Sequence, residues 1–104
     1  MIIAERNDEF RRTGIGGLTY ATKGVQALSG EARVEIYRRV RGFDNFTPDN
    51  DPYSEHDFGS FELVGRKFFW KIDYYDKRCE FGSDDPADPD KTTRVLTIML
   101  AEEY

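Results

Sequence analysis

Between Lys67 and Tyr75 the chain reads KFFWKIDYY, and this run constrains the fold more than any other. Phe68, Trp70, Ile72 and Tyr74 fall on one side of a strand, and Phe69, Lys71, Asp73 and Tyr75 on the other. Aromatic and β-branched side chains suit a pleated, half-buried surface. Burying Trp70 alone contributes roughly 2–3 kcal/mol, so the side that carries it is the floor of the core. Residues 58–63 form a second strand, with Gly65 in the turn between the two. A turn at Tyr75-Asp76-Lys77 then leads to a short third strand over residues 78–81. The expected centre is an antiparallel meander over residues 58–81.

Local signals place the other elements. Residues 2–12 predict a helix with Ile2, Ile3, Arg6 and Phe10 toward one side, and GIGG at 14–17 ends it. Those glycines lack the spacing and the lysine of a phosphate loop. Residues 18–22 read as a strand and Lys23-Gly24 as a turn, with residues 25–28 leading into a second helix. Ser29 is a good N-cap for that helix, which runs to Phe43. Ala32, Ile36, Val40 and Phe43 form its apolar stripe, and Glu35 and Arg39 are spaced for an ion pair.

Two loops lack periodicity. Residues 44–57, DNFTPDNDPYSEHD, are held out of regular structure by prolines and an Asn/Asp cluster. A loop this long in a small domain raises the expectation of binding. Residues 83–90, SDDPADPD, are the second. Asp88-Pro89 has the form of an N-cap followed by proline, which favours a helix for the final TTRVLTIMLAEEY. The alternation of Leu96, Ile98 and Leu100 would instead make that segment a buried strand. The expectation is a single α+β domain over residues 1–104, ordered α-β-α-β-β-β-α, with helices packed on one face of a small antiparallel sheet.

Charge is segregated along the chain. From Gly42 to Gly65 there is no lysine or arginine, but Asp44, Asp49, Asp51, Glu55, Asp57 and Glu62 are present. From Cys79 to Asp90 there is again no base, with Glu80, Asp84, Asp85, Asp88 and Asp90. Brought to one end of a sheet, these would set up a negative field that steers a cationic partner. Solvated turns rich in aspartate are the plainer reading. Arg33, Arg38, Arg39 and Arg41 gather on the second helix, as an ordinary solvated face or as a contact for an anion or a second copy. The net charge of -5 argues against direct nucleic-acid binding.

His56 is the only histidine, and Glu55 and Asp57 flank it. Its ordinary pKa suits acid–base work, and Asp49 and Asp51 would add oxygen ligands. The spacing fits neither a calcium-binding helix–loop–helix nor a zinc-protease motif. We expect no metal and no cofactor. Cys79, the only cysteine, has no adjacent base, cannot form an internal disulfide and excludes a cysteine-built zinc site. With no apolar run long enough to span a membrane, the expected compartment is the cytoplasm.

The strings FDNFTPDNDPYSEHDFGSFE, FFWKIDYYD and EFGSDDPADPDKTTRVLTIMLAEEY resemble a small bacterial family of unknown function found in plasmid- and phage-rich genomes. The likeness runs from about Leu18 to Tyr104. It assigns no activity to any residue. What it implies is a setting in which small acidic proteins act as inhibitors of host defence, of the anti-CRISPR or anti-restriction type. The expectation is a non-enzymatic module that binds a basic surface of a protein or nucleoprotein complex. Its contacts would be Asp49, Asp51, Tyr53, Glu55, His56, Asp57, Asp84, Asp85, Asp88 and Asp90. No membrane contact is expected, and a homodimer through the arginine-bearing helix is open. The alternative is a small enzyme or a ligand- or metal-binding protein centred on His56.

Overall fold

The computed structural model describes residues 2–104. The alternation in KFFWKIDYY is realised as the long central strand. The elements are α1 (Ile3–Thr13), β1 (Gly17–Ala21), α2 (Lys23–Gln26), α3 (Gly30–Arg41), β2 (Phe58–Leu63), β3 (Arg66–Tyr75) and β4 (Thr93–Leu100), closed by a 3₁₀ turn at Ala101–Glu103. The strands stand in the order β1-β4-β3-β2, with β1 parallel to β4 and the other neighbours antiparallel. The α+β class holds. The sheet is mixed rather than purely antiparallel, and the element order is α-β-α-α-β-β-β with a closing 3₁₀ turn, not α-β-α-β-β-β-α.

The final segment is a strand, not a helix. Phe68 pairs with Leu100, Trp70 with Ile98 and Ile72 with Leu96, so the apolar residues of β4 meet those of β3 on one face. Pairing on both sides of β4 outweighs the helix signal of Asp88-Pro89, which starts only a turn. Residues 78–81 are correspondingly not a strand. The Asp76 carboxylate accepts from the Arg78 and Glu80 amides and rolls the chain into a turn, leaving one bridge between Tyr75 and Gly82. β4 takes the place beside β3 that the meander would have given to that segment.

The core lies between the sheet and the helices. Phe10 of α1, Val25 of α2 and Ile36 and Val40 of α3 pack on Phe68, Trp70, Ile72, Leu96, Ile98 and Leu100. Ser29 caps α3 by accepting from the Ala32 amide at 3.1 Å. Lys23-Gly24 opens a short helix rather than a turn. The Glu103 carboxylate caps it from far along the chain, accepting from the Gly24 amide and the Thr22 hydroxyl at 3.0 and 2.6 Å. That bonding holds the Glu103 carboxyl below its usual value, the Thr22 hydroxyl first. No described helix is long and apolar enough to cross a membrane.

The buried face of α1 departs from the expected Ile2, Ile3, Arg6 and Phe10. It is Ala4, Asn7, Phe10 and Arg11, and Ile2 is exposed. Two of those four are polar, and both are directed at the loop region described next.

Candidate functional site at the acidic end of the sheet

β2 and β4 begin and β3 ends at the same edge of the sheet, so the loops 44–57 and 83–90 emerge together. α1 ties them down. The Asn7 amide donates to the Glu55 carbonyl at 2.9 Å and to the Tyr74 hydroxyl at 2.8 Å. The same side chain accepts from Arg94 Nε at 2.9 Å. Arg94 then donates to the Pro86 carbonyl, and Arg6 donates to the Ala87 carbonyl at 3.3 Å. One buried asparagine and two arginines therefore join both acidic loops. Burial pulls the Arg94 guanidinium below its ordinary pKa.

Loop 44–57 is organised around Asp51, which is buried. Its Oδ1 accepts from the Glu55 and His56 amides at 3.0 and 3.2 Å. This carboxylate curls the chain tightly enough to place Ser54 and His56 in the left-handed region, at φ 55° and 56°. His56 turns inward. Its Nδ1 lies 2.9 and 3.0 Å from the two oxygens of Asp8, and its Nε2 lies 3.6 Å from Asp51 Oδ2. The ring stacks on Phe46 at 3.9 Å with the planes 1° apart.

Asp8 also serves Arg11, which is fully buried. Arg11 donates to Asp8 Oδ1 and to the carbonyls of Val40 and Phe43, at the C-terminal end of α3. Cations are favoured there by the helix dipole and the free carbonyls. The guanidinium lies 5.0 Å from the Trp70 ring centre and 5.5 Å from that of Phe46. Burial lowers its pKa, and Asp8 partly restores it. Asp8, Arg11, Phe46 and His56 thus form one stack that clamps the loop to α1 and α3.

Behind it lies a second cluster. The Tyr74 hydroxyl donates to Glu55 at 3.1 Å, and burial pushes its pKa up. The Asp57 carboxyl is also pushed up, first by burial and then by the charge on Glu55. Phe46, Thr47, Pro48, Asp51, Pro52, Ser54 and His56 line an open hollow of about 410 Å³ beside the Phe46–His56 stack. Among the described residues no group of three or more His, Cys, Asp or Glu side chains is placed to hold a metal ion.

The expected contact residues therefore divide. Asp51 faces inward, and Glu55, His56 and Asp57 are half-buried parts of the internal network. Asp49, Tyr53, Asp84, Asp85 and Asp90 are exposed, and Asp88 is half-buried. Tyr53 is 84% exposed. Asp85 and Asp88 also shape turns, accepting from the Ala87 and Asp90 amides. Among the described residues none of these exposed aspartates pairs with a lysine or arginine. Lys77, Arg78 and Lys91 are exposed on the segments that flank the second loop.

Residues 21–103 match the DUF3768 family model, which describes proteins of unknown function. The chain belongs to this family. No curated protein and no solved structure matches it. The DUF3768 segment contains both acidic loops, Asp51, His56, Tyr74 and Arg94. Asn7, Asp8 and Arg11 of α1 precede it.

Sequence reasoning missed Asn7, Asp8, Arg11, Tyr74 and Arg94 as members of this end. One signal was available. Ala4, Asn7 and Phe10 recur every three residues with Arg11 beside them, which is one helix face with polar groups set in it.

Proposed function

We propose that this DUF3768 protein is a non-enzymatic binding module whose acidic end engages a cationic surface on another protein or nucleoprotein complex. The supporting observation is that Asn7, Arg6 and Arg94 bring loops 44–57 and 83–90 to one edge of the sheet. Asp49, Asp84, Asp85 and Asp90 are exposed on them and have no cation of the same chain bound to them among the described residues. Asp85, fixed by the bond it accepts from the Ala87 amide, loses little side-chain freedom on binding, which favours association. Surfaces that bind nucleic acid carry the matching charge. The specific form of the proposal is an inhibitor that occupies such a surface, with a bacterial, mobile-element setting as part of it.

The test is capture of partners from lysate at low salt and again at roughly 1 M, where the screening length falls to about 3 Å. A partner identified by mass spectrometry is then measured against Asp84→Lys/Asp85→Lys. Slower association with a shallower salt dependence supports the proposal. Unchanged kinetics with the identified partner would reject it.

A second reading rests on the Asp8–His56 pair. A carboxylate on Nδ1 fixes an imidazole so that Nε2 can act as a base, and His56 is among the residues that line a hollow. It requires that His56→Ala abolish a chemical activity while leaving partner binding intact. The binding module requires the reverse order of sensitivity.

A further inference from the structure

The helices cover one face of the sheet. The other face carries Leu18 and Tyr20 on β1, Phe69, Lys71, Asp73 and Tyr75 on β3, and between them Val95, Thr97 and the buried Met99 of β4. Leu18 is 44% exposed and Tyr20 is 55% exposed. Tyr104 folds over part of this face, its ring 6.1 Å from Phe58 and 5.5 Å from Phe69. Exposed apolar side chains on an open sheet mark interaction surfaces, and Leu18 and Tyr20 are the exposed part of this one, with Phe69 and Tyr75 half-buried beside them.

The charges on the face indicate what covers it. Lys71 and Asp73 pair at 3.0 Å with their side chains still 39% and 37% exposed. Glu62 and Lys67 stand opposite each other in the β2–β3 register. The face is therefore neutral on a chain of net charge -5. It is a surface on which two copies can approach without the repulsion their acidic ends impose.

We propose that this open face is the contact between two copies of the chain, packed sheet on sheet about a two-fold axis that crosses β3 at Ile72. An axis lying between the sheets and perpendicular to the strands sets each strand over its own counterpart with the direction reversed. Side chains equally distant from Ile72 then meet. Lys71 faces Asp73 of the second copy, and Phe69 faces its Tyr75. Thr19 of β1 and Ile72 of β3 both register with Leu96, so the axis also passes Thr19. Leu18 therefore faces Tyr20 of the second copy.

The β1 and β3 pairs are apolar on apolar or cation on anion, and on β4 between them Val95 faces Thr97 of the second copy, as a self-complementary two-fold interface allows. An axis through β3 and parallel to the strands would set Lys71 on Lys71 and bring the two acidic ends together. The perpendicular axis sends them to opposite poles. Aligned packing of two twisted sheets tolerates the crossing angle of about 30° that such a contact needs.

Sedimentation velocity of the purified chain over a range of concentrations tests this independently of any partner at the acidic end. The expected result is a dimer for the wild type. Asp73→Lys places lysine on lysine and raises the dissociation constant by about a hundredfold, since like charges at an interface are strongly disfavoured. Lys71→Asp does the same with carboxylates. The double variant K71D/D73K inverts the pair and restores the dimer. Circular dichroism stays unchanged in all three, because an exposed ion pair contributes little to the fold. A wild-type chain that stays monomeric throughout would overturn the proposal and leave the face to a different protein. So would a dimer indifferent to Asp73→Lys, or a double variant that stays monomeric.

Discussion

His56 Nδ1 sits 2.9 and 3.0 Å from the two carboxylate oxygens of Asp8, joining the long loop to the first helix across 48 residues of sequence. The same carboxylate compensates buried Arg11, and His56 in turn stacks on Phe46. His56→Ala therefore releases the loop, at a cost of about 1.5–3 kcal/mol for a hydrogen bond to a charged group. Asp8→Asn costs more, because it weakens two partners. Urea denaturation gives the magnitude. Hydrogen exchange should show lost protection at the Asp51, Glu55 and His56 amides while the β3–β4 amides stay protected. Uniform loss across the sheet would contradict a local clamp.

Gly59 and Trp70 are register partners, and the indole occupies the space where a side chain on residue 59 would stand. A Cβ there would collide with Trp70 Nε1. That nitrogen is fully buried with no hydrogen-bond partner among the described residues, so the indole is held by packing against Phe43 and Phe46. Gly59→Ala forces either the strand or the ring to move. We expect a loss of about 1–3 kcal/mol, typical of overpacking, with a shifted tryptophan fluorescence maximum. An unchanged denaturation midpoint would mean the core is looser than this contact implies.

Val64 is the first of the two residues in the β2–β3 turn, and it sits at φ 52° beside Gly65 at φ 74°. Both dihedrals are positive, which is the turn type matched to a two-residue hairpin. A β-branched residue is poorly suited to that region, and Val64 is 87% exposed, so it recovers nothing by packing. Val64→Asn should raise stability by about 1 kcal/mol, read as a higher urea midpoint with an unchanged slope. A destabilised variant would show that Val64 is covered in solution.

The parts of the fold that could be read from sequence were those decided by neighbours within a few residues. Phe68, Trp70, Ile72 and Tyr74 declared β3 by alternation, Ser29 declared the start of α3, and Gly14 and Gly65 marked the breaks. β4 was misread because its strand character comes from pairing with residues on both sides, while Asp88-Pro89 is a strong local signal pointing elsewhere. The short helix α2 was hidden for the same reason, since its capping carboxylate belongs to Glu103. At the acidic end, the gathering of charge was legible but its division was not. Asp51 and Asp49 look alike in sequence. Only the curl of the loop decides that one is buried and bonded to amides while the other faces solvent.

Asp57 offers a test of that inner network by pH. Its carboxyl lies above the ordinary value of 3.8, chiefly through burial and then through the charge on Glu55. The folded protein therefore holds this proton more tightly than the unfolded chain does. The contribution of Asp57 to stability is most favourable below about pH 3.8 and is lost as pH rises through the raised folded value. Ionised Asp57 is then a burden at neutral pH, where it faces Glu55 and Asp51 in a partly desolvated site. Asp57→Asn keeps the backbone carbonyl that accepts from the Ile72 amide at 2.8 Å and removes the charge. It should melt above the wild type at neutral pH, and the difference should shrink to nothing in acid below the ordinary carboxylate range. A difference that is independent of pH would place its cause in packing rather than in charge. A variant that melts lower at neutral pH would mean that the ionised carboxylate makes a bond the fold depends on.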